Sequence, residues 1–177
     1  MKAFLGLICV IFVVGCAARP MATAPLPLNA QLDAVKERLF VLVEAEREGL
    51  PTAAKPLILD PELMRAAQTH SDDMAMKNSF DVDNPEGNVA INVLLQNPKF
   101  RGFVAENSAA QYFTPGSPID PQRFAQGFLT IWENSPDHRM NLFYPGFERT
   151  GIGIAVRGNT IYAAELFATD LGLPEPQ

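Results

Sequence analysis

The chain has 177 residues, 47% of them hydrophobic and 19% charged, a balance that suits one globular domain with a real core and excludes a disordered chain. Its formal net charge of −6, with no cluster of Lys or Arg, excludes a nucleic-acid backbone as partner, because phosphate contacts need a basic face.

The N-terminus reads as a targeting segment. Lys2 precedes the apolar run AFLGLICVIFVVG (3–15), too brief to cross a bilayer comfortably, and the run leads into Cys16 as VVGC. That ending resembles the bacterial lipobox, which implies a signal peptide over 1–15 and a mature protein beginning at a lipidated Cys16. A soluble secreted protein cleaved nearby is the alternative. Several acyl chains anchor firmly where one is marginal, so the membrane becomes a partner through Cys16. Ala17, standing where Asp would retain the protein, points by the same resemblance to the outer membrane, facing the periplasm. Cys9 leaves with the signal and Cys16 carries lipid, so the mature domain is held without a disulfide. Residues 16–28 then read as a flexible tether, 29–170 as the folded domain and 171–177 as a frayed tail.

Within the domain, Leu32, Val35, Leu39, Leu42 and Val43 recur at helical spacing after Asn29, a suitable N-cap, with charges on the other faces. Asp60, Pro61 and Glu62 open a second helix, whose apolar stripe is Leu63, Ala67, His70 and Met74, with Ala66 beside it. His70 thus lies on the inward face, where a lone histidine is ordinarily a satisfied core residue. Residues 79–88 read as a loop, VAINVLLQ (89–96) as a short helix, and RGFVAENSAAQYF (101–113) as a strand passing into a turn or helix. Asp120 and Pro121 start another helix with Phe124, Phe128, Ile131 and Trp132 inward, and Ser135 and Pro136 restart a helical turn. Two strands follow, RTGIGIAVRG (149–158) and NTIYAAELFAT (159–169), joined by a tight hairpin at Arg-Gly-Asn. In the first, Ile152, Ile154 and Val156 alternate with Gly151, Gly153 and Ala155, leaving one face bare enough for a helix to lie close. Glu165 falls among Ile161, Ala163 and Phe167 by alternation. An inward carboxylate needs partners or a raised pKa, and an edge or solvent-facing glutamate is the ordinary reading. The fold class is α+β.

Taken in order, VEAEREGLPTAAKPLILDPELMRAAQTHSDDMA (43–75), FVAEN (103–107), WENSPDHRMNLF (132–143) and RTGIGIAV with IYAAELFA (149–168) resemble the CAP superfamily in its bacterial, SCP-like branch. The likeness extends over about 35–168. It implies an α-β-α sandwich, with a small antiparallel sheet between helix layers and a shallow central cavity. Members often line that cavity with two histidines and two glutamates, which in some bind a divalent cation. Glu106 matches the glutamate of the family's Gly-Glu-Asn, with Ala105 where Gly is usual, and His138 matches the histidine of Ser-Pro-x-His-Arg. Val82 holds the other histidine's position, and Ser135 lies near that of the second glutamate, with Glu133 out of place.

With Ser135 as N-cap, His138 falls at N3, where the helix dipole disfavours imidazolium and Glu106 would orient a neutral ring. One imidazole and one carboxylate fall short of the three protein ligands that zinc usually takes. Asp81 or Asp83 would add an oxygen, but loop acids are ordinarily solvated. The expectation is therefore no cofactor, with a divalent cation as the lesser alternative, and a buried Glu106–His138 pair serving as architecture. The resemblance extends to sterol and lipid binders, and Phe80, Tyr112, Phe113, Phe143, Tyr144 and Phe147 are compatible with a small apolar ligand or an envelope component. A hydrolase or metal-dependent activity at Glu106 and His138 is the competing function. Against it, no serine or cysteine stands in a recognisable His-Asp setting.

The lipobox reading is tested by Cys16→Ala, which should release the protein from the membrane fraction or leave it unprocessed. Mature-size, lipidated protein from that variant would refute it.

Overall fold

The computed structural model describes residues 26–50, 54–79, 89–97, 100 and 102–169. The signal, Cys16, most of the tether, Asp81, Val82, Asp83 and the tail lie outside them. The described residues form nine elements in order: α1 (Leu28–Glu48), β1 (Ile58–Leu59), α2 (Pro61–Lys77), α3 (Val89–Leu95), β2 (Val104–Tyr112), α4 (Pro121–Asn134), α5 (Pro136–Phe143), β3 (Arg149–Arg157) and β4 (Thr160–Ala168).

The Asp-Pro pairs open helices by one mechanism. Proline at the first helical position removes a donor that would lack an intrahelical partner, and the aspartate accepts from donors further in. Asp60 takes the N–H groups of Glu62 at 2.8 Å and Leu63 at 3.1 Å, and Asp120 takes that of Arg123 at 3.2 Å. Asn29 is not a cap. Helix α1 starts at Leu28, two residues before an Asn29 cap would place it, with Pro27 at the cap position. Ile131 also departs from expectation and is 39% exposed, because the buried stripe of α4 includes Ala125 and Leu129 and so leans away from it.

Strand order is β1-β3-β4-β2, with β1 parallel to β3 and the other pairs antiparallel. The expected antiparallel sheet is therefore mixed, through the two residues of β1. β2 stays extended throughout, where a turn or helix was expected from Ser108 onward. Its nine residues each lie opposite one of β4, and that continuous ladder overrides the local helical preference of its alanines. β4 is paired along its length on both sides, and every one of its residues is buried. Helices α1, α4 and α5 pack on one face around Val35, Leu39, Phe128, Trp132 and Phe167. Helices α2 and α3 cover the other, with Leu63, Ala67, Leu94, Ala164 and Leu166. This is an α-β-α sandwich. The β3–β4 hairpin turns at Gly158, with φ of 59°, where a side chain would be strained.

The bare face of β3 is where α2 lies closest. A Cβ on Gly151 would sit 2.1 Å from the backbone nitrogen of Met64, and one on Gly153 would sit 2.2 Å from the carbonyl carbon of Ala67. Backbone rests on backbone there, so an added methyl cannot be absorbed by a rotamer change. Gly153→Ala should cost at least about 1–3 kcal/mol by overpacking. Gly49→Ala, whose Cβ would meet nothing nearer than 3.5 Å, should fall within about 0.5 kcal/mol of the parent. Urea unfolding of both variants checks the contrast, and equal midpoints would refute the close packing.

Candidate functional site

Edge strand β2 turns successive side chains to opposite faces of the sheet. Asn107 points toward α5, where its amide donates to the His138 carbonyl at 3.0 Å. The Asn141 amide donates to the Glu106 carbonyl at 3.1 Å and to Asn107 Oδ1 at 3.0 Å. These amides stitch α5 along β2. Glu106 points the other way, toward α2, where its Oε1 meets Nδ1 of His70 in a hydrogen-bonded pair. Both side chains are largely shielded, at 15% exposure for His70 and 8% for Glu106.

His138 stands at N3 of α5 and is half-buried. Its Nδ1 is enclosed without a hydrogen-bond partner. Burial pushes its pKa below the ordinary histidine value, against the opposing pull of the Asp137 and Glu106 carboxylates. The N-terminal end of α5 acts in the same direction as burial, so the ring is neutral at pH 7.

Three expectations change. The hydrogen-bonded partner of Glu106 Oε1 is His70, and His138 is a neighbour whose pKa feels the carboxylate. Ser135 occupies the N-cap position of α5 but makes no side-chain cap bond there. Phe147 belongs to the core, stacked on Phe167 at 5.6 Å, while Tyr112 is 74% exposed. Asp81 and Asp83 lie outside the described residues. Among the described residues, no three His, Cys, Asp or Glu side chains converge on a cation position. The Nδ1 of His70 is already turned to Glu106.

Glu165 is neither at an edge nor facing solvent. It lies on β4 with no exposed surface, its Oε1 accepting from the Thr150 hydroxyl at 3.0 Å and its Oε2 buried without a partner. Burial pushes its carboxyl up to about 8, with the Thr150 hydrogen bond and the Arg47 charge pulling back. Arg47 is the group that the sequence reading passed over. Its guanidinium, 2% exposed, donates to the carbonyls of Leu142 at 2.8 Å, Tyr144 at 3.1 Å and Phe147 at 3.0 Å. Glu44 lies 3.8 Å from Arg47 Nε, and its carboxylate also accepts the Leu57 N–H at 3.1 Å. The signal was present: Arg47 continues the four-residue spacing of Val35, Leu39 and Val43, all buried.

Residues 46–169 match the family described as CAP, the cysteine-rich secretory protein family. The uncharacterised protein YkwD of Bacillus subtilis (strain 168) is 27% identical over 131 residues, which are 73% of this chain and 46% of that protein. An extracellular protein of Bacillus anthracis strain Ames that contains an SCP domain superposes with a TM-score of 0.57 at 25% identity, covering 84% of this chain and 45% of that one. An outer surface protein of Borrelia burgdorferi shares the fold at a TM-score of 0.57 and 15% identity, over 82% of this chain and 97% of its own. The chain spans less than half the length of the two Bacillus proteins.

The buried carboxyl sets a pH dependence whose sign is fixed. Its pKa rises from 4.5 to about 8 on folding, so the folded state holds the proton more tightly. Stability is undiminished below about pH 4.5 and declines as pH rises toward 8, by at most about 1.4 kcal/mol per pH unit. Glu165→Gln should remove that decline. Thermal unfolding of both proteins at pH 5 and pH 8.5 checks it, and parallel melting shifts would show that Glu165 does not titrate this way.

Proposed function

The chain belongs to the CAP family, and on that premise we propose that it is a lipid-anchored envelope protein that binds a ligand without transforming it. The VVGC ending at Cys16 supports the anchor, Ala17 after it supports an outer-membrane, periplasm-facing address, and the extracellular and surface settings named for two relatives support export from the cytoplasm. Among the described residues no helix is long and apolar enough to cross a membrane.

Among the described residues no hydroxyl or thiol donates to Nδ1 of His138.

The observation that carries the reading is an apolar cleft of about 460 Å³ between α1, β1 and α2, lined by Phe40, Val41, Leu59, Met64 and Ile152. Val41, Leu59 and Met64 remain 50%, 45% and 38% exposed. Apolar side chains left open inside a concavity of this size are the usual wall of a ligand site, with an apolar small molecule or part of an envelope component as occupant.

Nile red should bind this cleft saturably, with enhanced fluorescence. The double variant Val41→Asp, Met64→Asp should lose that signal while keeping the parent's far-ultraviolet circular dichroism. Equal dye binding by parent and variant would sink the proposal.

A further inference from the structure

Strand β3 has one edge paired along its length with β4, while its outer edge is paired with β1 only at Arg149 and Thr150. A strand turns the N–H and C=O groups of alternate residues toward the same edge. Thr150 marks the outward set, since its carbonyl accepts from the Asp60 N–H at 2.8 Å. Ile152, Ile154 and Val156 follow in that set. At Ile154 the place of a neighbouring strand is taken by a side chain. Gln68 Nε2 donates to the Ile154 carbonyl at 2.9 Å, and Gln68 Oε1 accepts the Ile154 N–H at 3.2 Å. One carboxamide thus makes on one residue the donor and acceptor bonds that an adjacent strand's peptide groups would make.

Two clefts open beside the outer edge. The first is the apolar one described above, reaching Ile152. The second, about 580 Å³, takes in Leu32 of α1, Gln68, Asp72 and Met76 of α2, and Ile154 to Arg157 of β3. Ile152 and Ile154 are successive outward residues of one strand, so the two clefts follow one another along it. From Ile152 to Val156 the run is roughly 13 Å, the length of four or five extended residues.

From this geometry we infer that the two clefts take an extended peptide segment of another protein, which adds as a strand to the outer edge of β3 after displacing Gln68. The inference rests on the binding-module reading and names its partner. Strand addition draws affinity from backbone hydrogen bonds and selectivity from alternate side chains. Beside Ile152 the pockets for those side chains are apolar, lined by Phe40, Val41 and Met64, and beside Ile154 they are mixed, with Leu32 and Met76 next to Asp72 and Arg157. The wall cations are engaged, Lys36 with Asp33 at 2.8 Å and Arg157 with the carbonyls of Ala75 and Met76. Glu37 has no such partner among the described residues, so the peptide is basic rather than acidic.

The probe is a fluorescein-labelled peptide, Lys-Val-Thr-Val-Thr-Val-Lys, titrated against the full chain by fluorescence anisotropy. Saturable binding is expected, tighter by several-fold in Gln68→Ala, which removes the competing carboxamide. The same peptide N-methylated at alternate amides should bind at least about tenfold more weakly, because methyl groups block strand pairing and leave the side chains intact. Equal binding of the methylated peptide, or no gain in Gln68→Ala, overturns strand addition. Nile red binding that oleate displaces and the peptide does not would assign the cleft to a lipid, ending this inference while the binding-module reading stands. Failure of both dye and peptide would end both.

Discussion

The structure depends on the contact between the α2 backbone and the glycine face of β3. At Gly151 and Gly153 the helix lies where no side chain fits, so its depth is set by two backbones rather than by adaptable side chains. Everything that α2 carries takes its place from that contact. Met64 and Gln68 come to the outer edge of β3, and His70 projects toward β2, where Glu106 meets it. Both proposed binding elements and the histidine–glutamate pair are thus placed by one helix whose freedom to shift is small.

The opposite face is organised by charge taken out of water. Arg47 ties the end of α1 to the last turn of α5 and to the chain between α5 and β3 through three carbonyls. Those carbonyls would otherwise be costly to bury, and the guanidinium would be costlier still. Glu44 supplies the nearby counter-charge, while burial raises the Glu165 carboxyl to about 8, so at pH 7 it is mainly a neutral acid bonded to Thr150. The same layer holds the largest aromatic residues of the core.

What could be read from the sequence was local. The Asp-Pro helix starts, the hairpin at Gly158 and the glycine alternation of β3 each follow from steric or hydrogen-bonding rules acting over a few residues. What escaped depended on distant partners. β2 reads ambiguously because Ser-Ala-Ala suits a helix, and only its ladder with β4 decides. β1 is too short for any periodicity. The Glu106–His70 bond joins residues 36 positions apart, and His70 alone looks like any stripe residue. A glutamate ordinarily stands at an edge or in solvent, and the place of Glu165 on an inner strand leaves it no edge. Arg47 carries a charge that ordinarily keeps a residue in solvent, although its spacing places it with the buried valines and leucine.

The junction between α5 and β2 has a consequence for where such a protein can work. It is made from Asn107 and Asn141 through neutral amides and carbonyls. Neither amide gains or loses a proton across the pH range of natural waters, and dissolved salt screens dipoles far less than it screens ions. Fastened this way, the junction between α5 and β2 does not itself titrate, and salt weakens it less than it would weaken a junction built from ion pairs.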